Sequence, residues 1–271
     1  MIKLIATDID GTLVKESTSE IYPEILKAVR IWTDMGNYFC VASGRQYYSI
    51  KNMFREVSDR IIYLAENGAH VRYGHKNILV RKMRREDAVK LIKELHLYDK
   101  QCEILVSTTD GSLLETTNRE FLDFFEKGYH NKFRIVDDIL NEEVDIIKVA
   151  IYQKESIREL GENTLIPAWK EKLKVCMAGE EWVDFMDSSV DKGNALKVIQ
   201  EYLGVGKAET AAFGDNDNDI GLLQAAEESY AVENARESTK AQAKHICPSY
   251  QDKGVYQIIK KLIAEQTEQK S

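Results

Sequence analysis

The stretch Ile2–Val14, with the sequence IKLIATDIDGTLV, decides how the rest of the chain is interpreted. It begins as a short apolar run, which predicts a strand buried on both faces of a parallel sheet. Alternation along an extended chain then directs the carboxylates of Asp8 and Asp10 toward the same side. Gly11 allows a sharp turn beyond them. Because two close carboxylates repel each other, this stretch predicts a bound cation or a shared proton, and a catalytic role.

Outward from this stretch, apolar runs alternate with segments of helical spacing. Helices are expected near Tyr22–Met35 and from Ser43 to about Val57, and buried strands at Tyr38–Ala42 and Arg60–Ala65. Strands that alternate with helices predict a doubly wound parallel sheet of the Rossmann-like α/β class. Ligands bind at the carboxyl ends of the strands in such a sheet, so polar residues that follow strands are the candidates for function.

The pattern changes near Lys82 and returns near Ser188. The middle third mixes hairpins with helices, and Asp110-Gly111 is a strong hairpin signal within it. We therefore predict a discontinuous core domain of residues 1–82 and 187–271, interrupted by an inserted α+β domain of residues 83–186. In the second part of the core, strands are expected at Thr210–Phe213 and Tyr230–Val232, with a closing helix at Val255–Ile263.

Composition excludes several classes of function. The chain has 271 residues, 44% of them hydrophobic and 30% charged, which is typical of a globular protein. Its formal net charge of −8 does not favour binding to nucleic acid or to an anionic membrane surface. The four cysteines are far apart and form no CxxC pair, which favours reduced thiols and a cytoplasmic location. No apolar run is long enough to span a membrane, and the oligomeric state is not readable from the sequence.

Ser43-Gly44 and Lys192 each have an ordinary interpretation beside a functional one. Ser43 as an N-cap with Gly44 beside it is a common helix start, and the same geometry offers a hydroxyl and amide groups to an anion. Lys192 is expected in a first helical turn, where it is slightly unfavourable against the helix dipole. A surface lysine is the ordinary alternative.

Gly214–Asp219, with the sequence GDNDND, alternates acids with asparagines after a predicted strand. Such oxygen ligands suit a hard divalent cation. An EF-hand loop is the nearest rival, but that register requires Gly at Ile220 and Glu at Ala226. The calcium loop therefore fails at two positions, and a magnesium-type site remains.

Together these four motifs resemble those of the haloacid dehalogenase-like hydrolases. Their order and the insert between the second and third motifs are similar to the Cof-like phosphatases of subfamily IIB. The resemblance implies a Mg²⁺-dependent phosphatase that hydrolyses small phosphorylated metabolites, such as sugar phosphates, through an aspartyl-phosphate intermediate. It also implies that the insert is a cap that selects the leaving group.

The resemblance assigns a role to each matching position. Asp8 would be the nucleophile, and Asp10 would protonate the leaving alcohol and then activate water. The Mg²⁺ ligands would be the Asp8 side chain, the Asp10 carbonyl and Asp215, supported by Asp219. The implied phosphate-binding residues are Ile9, Thr12, Ser43, Gly44, Lys192 and Asn218. The candidate substrate contacts are Arg45, Asn67 and the cap loop Gly179-Glu180-Glu181, although Arg45 has an alternative as a surface helix residue and Asn67 as part of a turn.

Two other functions remain open at this stage. A phosphomutase would return the phosphoryl group from the same aspartyl phosphate to another hydroxyl of its substrate. A sensor of phosphorylated metabolites would keep the fold without turnover, although the complete set of acids argues against a decayed site.

Overall fold

The structure, a computed structural model, describes residues 1–16, 18, 20–98, 102–128 and 130–270. Within these ranges the strands are β1 (Leu4–Thr7), β2 (Tyr38–Ala42), β3 (Ile61–Ala65), β4 (His70–Tyr73), β5 (Lys76–Val80), β6 (Cys102–Thr108), β7 (Gly111–Leu114), β8 (Phe133–Ile135), β9 (Lys148–Gln153), β10 (Leu173–Ala178), β11 (Trp182–Asp187), β12 (Thr210–Gly214), β13 (Glu228–Val232) and β14 (His245–Cys247). The α-helices are α1 (Pro23–Asp34), α2 (Tyr47–Met53), α3 (Arg85–Leu95), α4 (Arg119–Asp123), α5 (Arg158–Leu160), α6 (Ile166–Trp169), α7 (Lys192–Leu203), α8 (Ile220–Gln224), α9 (Glu237–Lys240) and α10 (Gly254–Lys270).

The chain divides into two compact units. The first, called the core unit here, combines Met1–Leu79 with Asp191–Ser271, and the second, the inserted unit, is Val80–Val190. The boundaries expected from sequence, after residues 82 and 186, lie within a few residues of these divisions. Among the described residues, no helix combines the length and the apolar character that crossing a bilayer requires.

An eight-stranded sheet in the order β14-β13-β12-β1-β2-β3-β4-β5 forms the centre of the core unit. Its strands are parallel from β14 to β3, and β1 pairs with β12 on one side and with β2 on the other. β4 runs antiparallel to β3. The predicted doubly wound, Rossmann-like α/β fold is confirmed, with an antiparallel extension at one edge.

Alternating side chains of this sheet enter two apolar clusters, as expected for strands that are buried on both faces. Ile5 packs on one face with residues of α1, α2 and α10, including the fully buried Trp32. Leu4 packs on the opposite face with residues of α7 and α8. The acid pair therefore follows a strand whose four residues are all buried.

The inserted unit is built on a six-stranded sheet in the order β10-β11-β9-β6-β7-β8. Most of its pairs are antiparallel, including β6 with β7 across the Asp110-Gly111 turn, and the predicted α+β character is confirmed. Val106 faces a cluster that contains α3, whereas Leu105 faces an aromatic cluster that contains Phe121 and Trp182.

The structure differs from the sequence prediction at two places. The strand β14 was not predicted, and it pairs in parallel with β13 at the edge of the sheet. The sequence near residues 155–172 predicts a single helix, but a π turn at Gly161–Leu165 separates α5 from α6 there.

Candidate active site

Asp8 and Asp10 lie directly after β1, where the chain turns sharply. The Asp8 amide continues the sheet ladder by donating to the Phe213 carbonyl of β12 (3.1 Å). The Ile9 carbonyl then accepts the amides of Leu13 (2.9 Å) and Val14 (3.0 Å), which closes the turn. As a result, the Asp8 side chain is only 7% exposed, whereas that of Asp10 is 28% exposed.

Both the backbone conformation and the surroundings of position 11 in this turn require glycine. Its φ of +82° is a left-handed value that glycine adopts without strain. A Cβ at this position would lie 2.5 Å from a carboxylate oxygen of Asp215. The absent side chain therefore allows the first motif to contact the fourth.

Lys192 joins the first, third and fourth motifs in a buried ion-pair network. Its Nζ donates to Oδ1 of Asp8 (2.7 Å) and to Oδ1 of Asp219 (2.6 Å), and its side chain is 1% exposed. Burial lowers the pKa of Lys192, but the charges and hydrogen bonds of Asp219 and Asp8 outweigh it and raise the pKa above its ordinary value. Lys192 therefore stays charged, and the interpretation as a surface lysine is wrong.

Asp8, Asp215 and Asp219 form a carboxylate cluster. One ligand oxygen from each residue lies within 4.8 Å of the others, and all three residues are buried. Burial raises the pKa of Asp8 well above its ordinary value, and the charges of Asp219 and Asp215 add to this effect while Lys192 opposes it. Burial together with the Asp219 charge raises the pKa of Asp215 to about 6. The single ammonium group of Lys192 therefore does not balance the three carboxylates.

The loop of the fourth motif is folded around Asp219. The amides of Asp215 (3.0 Å) and Asn216 (3.1 Å) both donate to Oδ2 of Asp219. The Thr12 hydroxyl donates to Oδ1 of Asp215 (2.8 Å). Asp217 points away from the cluster and pairs with Arg236 at the surface (3.0 Å). Of the three acids in this loop, Asp215 and Asp219 therefore enter the site.

The second motif has a different local structure from the one predicted. The helix α2 begins at Tyr47 with Gln46 as its N-cap, so Ser43 is not a helix cap. Instead, the buried Ser43 extends the β2–β3 pairing through its amide, which donates to the Leu64 carbonyl (2.8 Å). Its hydroxyl accepts the Arg45 amide (3.1 Å) in a local turn that competes with helix formation.

Asn67 and Asn218 connect the second motif to the fourth. The Asn218 amide group donates to Oδ1 of Asn67 (3.0 Å), and the Asn67 backbone amide donates to the Ser43 carbonyl (3.0 Å). Asn67 has a φ of +55° and follows Glu66 with a φ of +50°. Two consecutive left-handed residues other than glycine are strained, and such strain is concentrated at functional sites.

The other two candidate substrate contacts have partners of their own. The Arg45 guanidinium binds the Asp10 carboxylate. Glu180, in the predicted cap loop, lies in the inserted unit and pairs there with Arg158 (2.6 Å).

Sequence reasoning missed Asn234, which supports the turn of the first motif. Its side-chain amide donates to the Gly11 carbonyl (2.7 Å), and its Oδ1 accepts the Tyr250 amide (3.3 Å). Asn234 follows β13 at the same sheet edge as the acids. Polar residues that follow strands at this edge are candidates for function, so its position could have identified Asn234.

The start of α7 places Lys192, and glycine makes this placement possible. Asp191 caps the helix by accepting the Asn194 amide (3.0 Å). A Cβ on Gly193 would lie 2.2 Å from the Gly221 carbonyl oxygen of α8. Only glycine therefore allows the two helices to approach this closely.

We expect Gly193→Ala to destabilise the protein by at least about 1 to 3 kcal/mol, because backbone would have to move. Chemical denaturation measures this loss. Gly206→Ala is the matched control, since its nearest contact lies 4.0 Å from the added Cβ. Equal stability of the two variants would contradict the close approach.

Comparison with known proteins identifies relatives over nearly the whole chain. A family model of haloacid dehalogenase-like hydrolases matches residues 5–259. The 5-amino-6-(5-phospho-D-ribitylamino)uracil phosphatase YbjI of Escherichia coli is 27% identical, and the match covers 97% of this chain and 96% of that protein. A crystal structure from Eubacterium rectale is 34% identical with a TM-score of 0.86, and the match covers 96% of this chain and 99% of the other. The sugar phosphatase BT4131 of subclass IIB shares the fold at 22% identity, with a TM-score of 0.79 and coverage of 96% and 98%. The predicted family and the prediction of a phosphatase enzyme are confirmed.

Proposed function

Because the chain belongs to the haloacid dehalogenase-like hydrolases, we propose that it is a Mg²⁺-dependent phosphatase that hydrolyses small phosphorylated metabolites through an aspartyl phosphate on Asp8. One observation carries this proposal. The buried Lys192 holds Asp8 and Asp219 on one ammonium group, beside the third carboxylate of Asp215. Burying these charges lowers the stability of the folded protein. The arrangement is typical of a site for an anionic substrate at which a bound cation supplies further positive charge.

The donor set fits Mg²⁺. Three carboxylates and one ammonium give the cluster a formal charge of −2, and oxygen atoms are the ligands that this hard cation prefers. Asp8, Asp215 and the Asp10 carbonyl would hold the ion, with Asp219 in support through its bonds to Lys192 and to the loop amides. The bound ion would neutralise charge on the phosphoryl group.

The residues of the first motif would perform the chemistry in two steps. A carboxylate oxygen of Asp8 attacks phosphorus, the bond from phosphorus to the leaving oxygen breaks, and Asp10 gives that oxygen a proton. Asp10 then takes a proton from water as the water attacks the aspartyl phosphate, which releases phosphate and restores Asp8. Lys192 opposes the effect of burial on the pKa of Asp8 and so favours the ionised nucleophile.

The phosphoryl oxygens would be bound by groups at the same sheet edge. Ser43, Gly44, Lys192 and Asn218 are the proposed contacts, together with Ile9 and Thr12 of the turn. The bonds of Asn218 to Asn67 and of Thr12 to Asp215 support this set by fixing two of its members. Phosphoryl transfer depends mainly on such positioning and on charge neutralisation.

We expect Mg²⁺ to stabilise the protein more at about pH 7.5 than at about pH 5. The pKa of Asp215 is near 6 when folded and near its ordinary value of about 3.9 when unfolded, so the folded state binds more protons between these values. The metal-free protein therefore loses stability as the pH rises through this window, on the order of 2 to 3 kcal/mol. Mg²⁺ would bind the deprotonated carboxylates in place of these protons, and its binding would restore the lost stability.

Thermal unfolding in chelator and in excess Mg²⁺ at the two pH values measures this difference. Asp215→Asn should remove the part of the pH dependence that Asp215 contributes, while the raised pKa of Asp8 still contributes the rest, and it should remove most of the metal effect. A Mg²⁺ stabilisation that is the same at both pH values would contradict the proposed ligand set.

The substrate class is proposed from the relatives and the site. YbjI is named for a phosphorylated ribitylamino compound and BT4131 for a sugar phosphate, so a phosphorylated sugar or sugar alcohol is the leading class. We propose that the inserted unit acts as a cap that selects the leaving group. We also propose a cytoplasmic location, because the wide spacing of the four cysteines favours reduced thiols.

The test is phosphate release from p-nitrophenyl phosphate and a panel of sugar phosphates, with Mg²⁺ or with chelator. Turnover that requires the metal supports the proposal. An isomerised product without phosphate release would identify a mutase instead. Tight binding of a panel member without any reaction would identify a sensor.

A further inference from the structure

The Arg45 guanidinium holds the carboxylate of Asp10, the residue proposed as general acid and base. Its Nε donates to Oδ2 of Asp10 (2.7 Å) and its Nη2 donates to Oδ1 (2.6 Å), so both carboxylate oxygens are bound at once. The Arg45 side chain is 8% exposed, whereas the Asp10 side chain is 28% exposed. The guanidinium therefore lies inside the protein, and the carboxylate is the more accessible partner.

Further contacts fix Arg45 in place. Its Nη2 also donates to the Thr18 carbonyl (2.8 Å), and its Nη1 contacts Sδ of Met53 (3.1 Å). Its backbone amide donates to the Ser43 hydroxyl (3.1 Å), and its carbonyl accepts the Glu66 amide (3.0 Å). Each nitrogen of the guanidinium thus already has a protein partner within the core unit, and the second motif fixes the backbone.

This geometry does more for orientation than for stability. The Arg45 guanidinium is buried, so the cost of removing its charge from water offsets much of the attraction to Asp10, and the pair adds little net stability. A bidentate pair, in contrast, fixes the plane of the carboxylate, because two parallel hydrogen bonds allow one orientation. A lysine at the same position would act as a point charge and could not impose that plane.

We propose that Arg45 is a positioning residue that sets the orientation of the Asp10 carboxylate, instead of a residue that binds substrate. The inference rests on the proposed function, in which Asp10 delivers a proton to the leaving oxygen. A displacement of about 1 Å in such a group can cost about 100-fold in rate. Arg45 should therefore matter most for substrates whose leaving group requires that proton.

The experiment compares two phosphate monoesters by kcat/KM, which reports the steps through the first phosphoryl transfer. The p-nitrophenolate leaving group of p-nitrophenyl phosphate departs without a proton, whereas the alkoxide of β-glycerol phosphate requires one. For Arg45→Ala and Arg45→Lys, we expect kcat/KM to fall about 100-fold for the alkyl ester and less than about 10-fold for the aryl ester. Millimolar guanidinium should restore part of the loss in Arg45→Ala.

Arg60→Ala is the matched control, because it removes an exposed pair with Asp34 at the opposite end of β3. It should leave both kcat/KM values unchanged. An equal fall for both esters, or a rise in KM with kcat unchanged, would identify a substrate contact or a structural role and overturn the inference. Unchanged kinetics would overturn it as well. If the native protein hydrolyses no monoester, the proposed function fails, and the inference fails with it.

Discussion

Asp8→Asn is expected to lower phosphate release by at least about 10⁴-fold. The amide has nearly the size of the carboxylate, but it cannot form the bond to phosphorus that the proposed first step requires. The measurement is steady-state phosphate release with Mg²⁺ at saturating substrate. The change removes the ion pair of Asp8 with Lys192, but the lysine keeps its pair with Asp219 and repulsion among the three clustered carboxylates is relieved, so the melting temperature should not fall substantially. Loss of activity would then not result from unfolding.

Asp217→Asn provides the control for this prediction. Asp217 belongs to the same acidic loop as Asp215 and Asp219, but its side chain is 50% exposed and pairs with Arg236. Its replacement should leave turnover within about twofold, since surface pairs contribute little. Equal losses in the two variants would mean that general acidity of this region, and not a nucleophile at Asp8, supports turnover.

Lys192→Met is expected to have the largest effect on stability, together with a large loss of activity. Removing the ammonium leaves the carboxylates of Asp8 and Asp219 buried without their partner, which costs about 3 to 5 kcal/mol. Turnover should fall at least about 100- to 1,000-fold, because the same charge would bind the phosphoryl oxygens. Chemical denaturation in chelator measures the first effect, and phosphate release in Mg²⁺ measures the second.

The destabilisation by Lys192→Met should be smaller at about pH 5 than at about pH 7.5. The pKa values of Asp8 and Asp215 are raised, so protonation at the lower pH removes charge that the lysine would otherwise offset. Lys197→Met is the control, because Lys197 is exposed on the same helix. A loss of stability that does not depend on pH would contradict the ion-pair network.

The strands of the core unit could be predicted because local sequence and tertiary environment agree there. The run Tyr38–Ala42 was predicted with the bounds of β2, since a strand buried on both faces has a continuous apolar sequence. The strand β14 could not be recognised, because it has only three residues and Ile246 is 51% exposed. Its pairing with β13 determines its conformation, and its own sequence contributes little.

The site was predictable to the extent that sheet topology brings strand ends together. Asp8, Ser43 and Asp215 all follow strands, and the parallel order places them at one edge. The turn at Ser43 and the pairing of Arg45 with Asp10 were not predictable, because they depend on side chains that meet only in the folded state. Arg45 and Asp10 are 35 positions apart, and no local pattern records their contact.

Chemical trapping of the intermediate tests the central claim most directly. The native protein, mixed with Mg²⁺ and substrate and quenched in acid during turnover, is reduced with borohydride, which converts an aspartyl phosphate to homoserine. Peptide mass spectrometry should then find homoserine at position 8 and at no other aspartate. Turnover without homoserine at position 8, or with homoserine elsewhere, would contradict a covalent mechanism at Asp8.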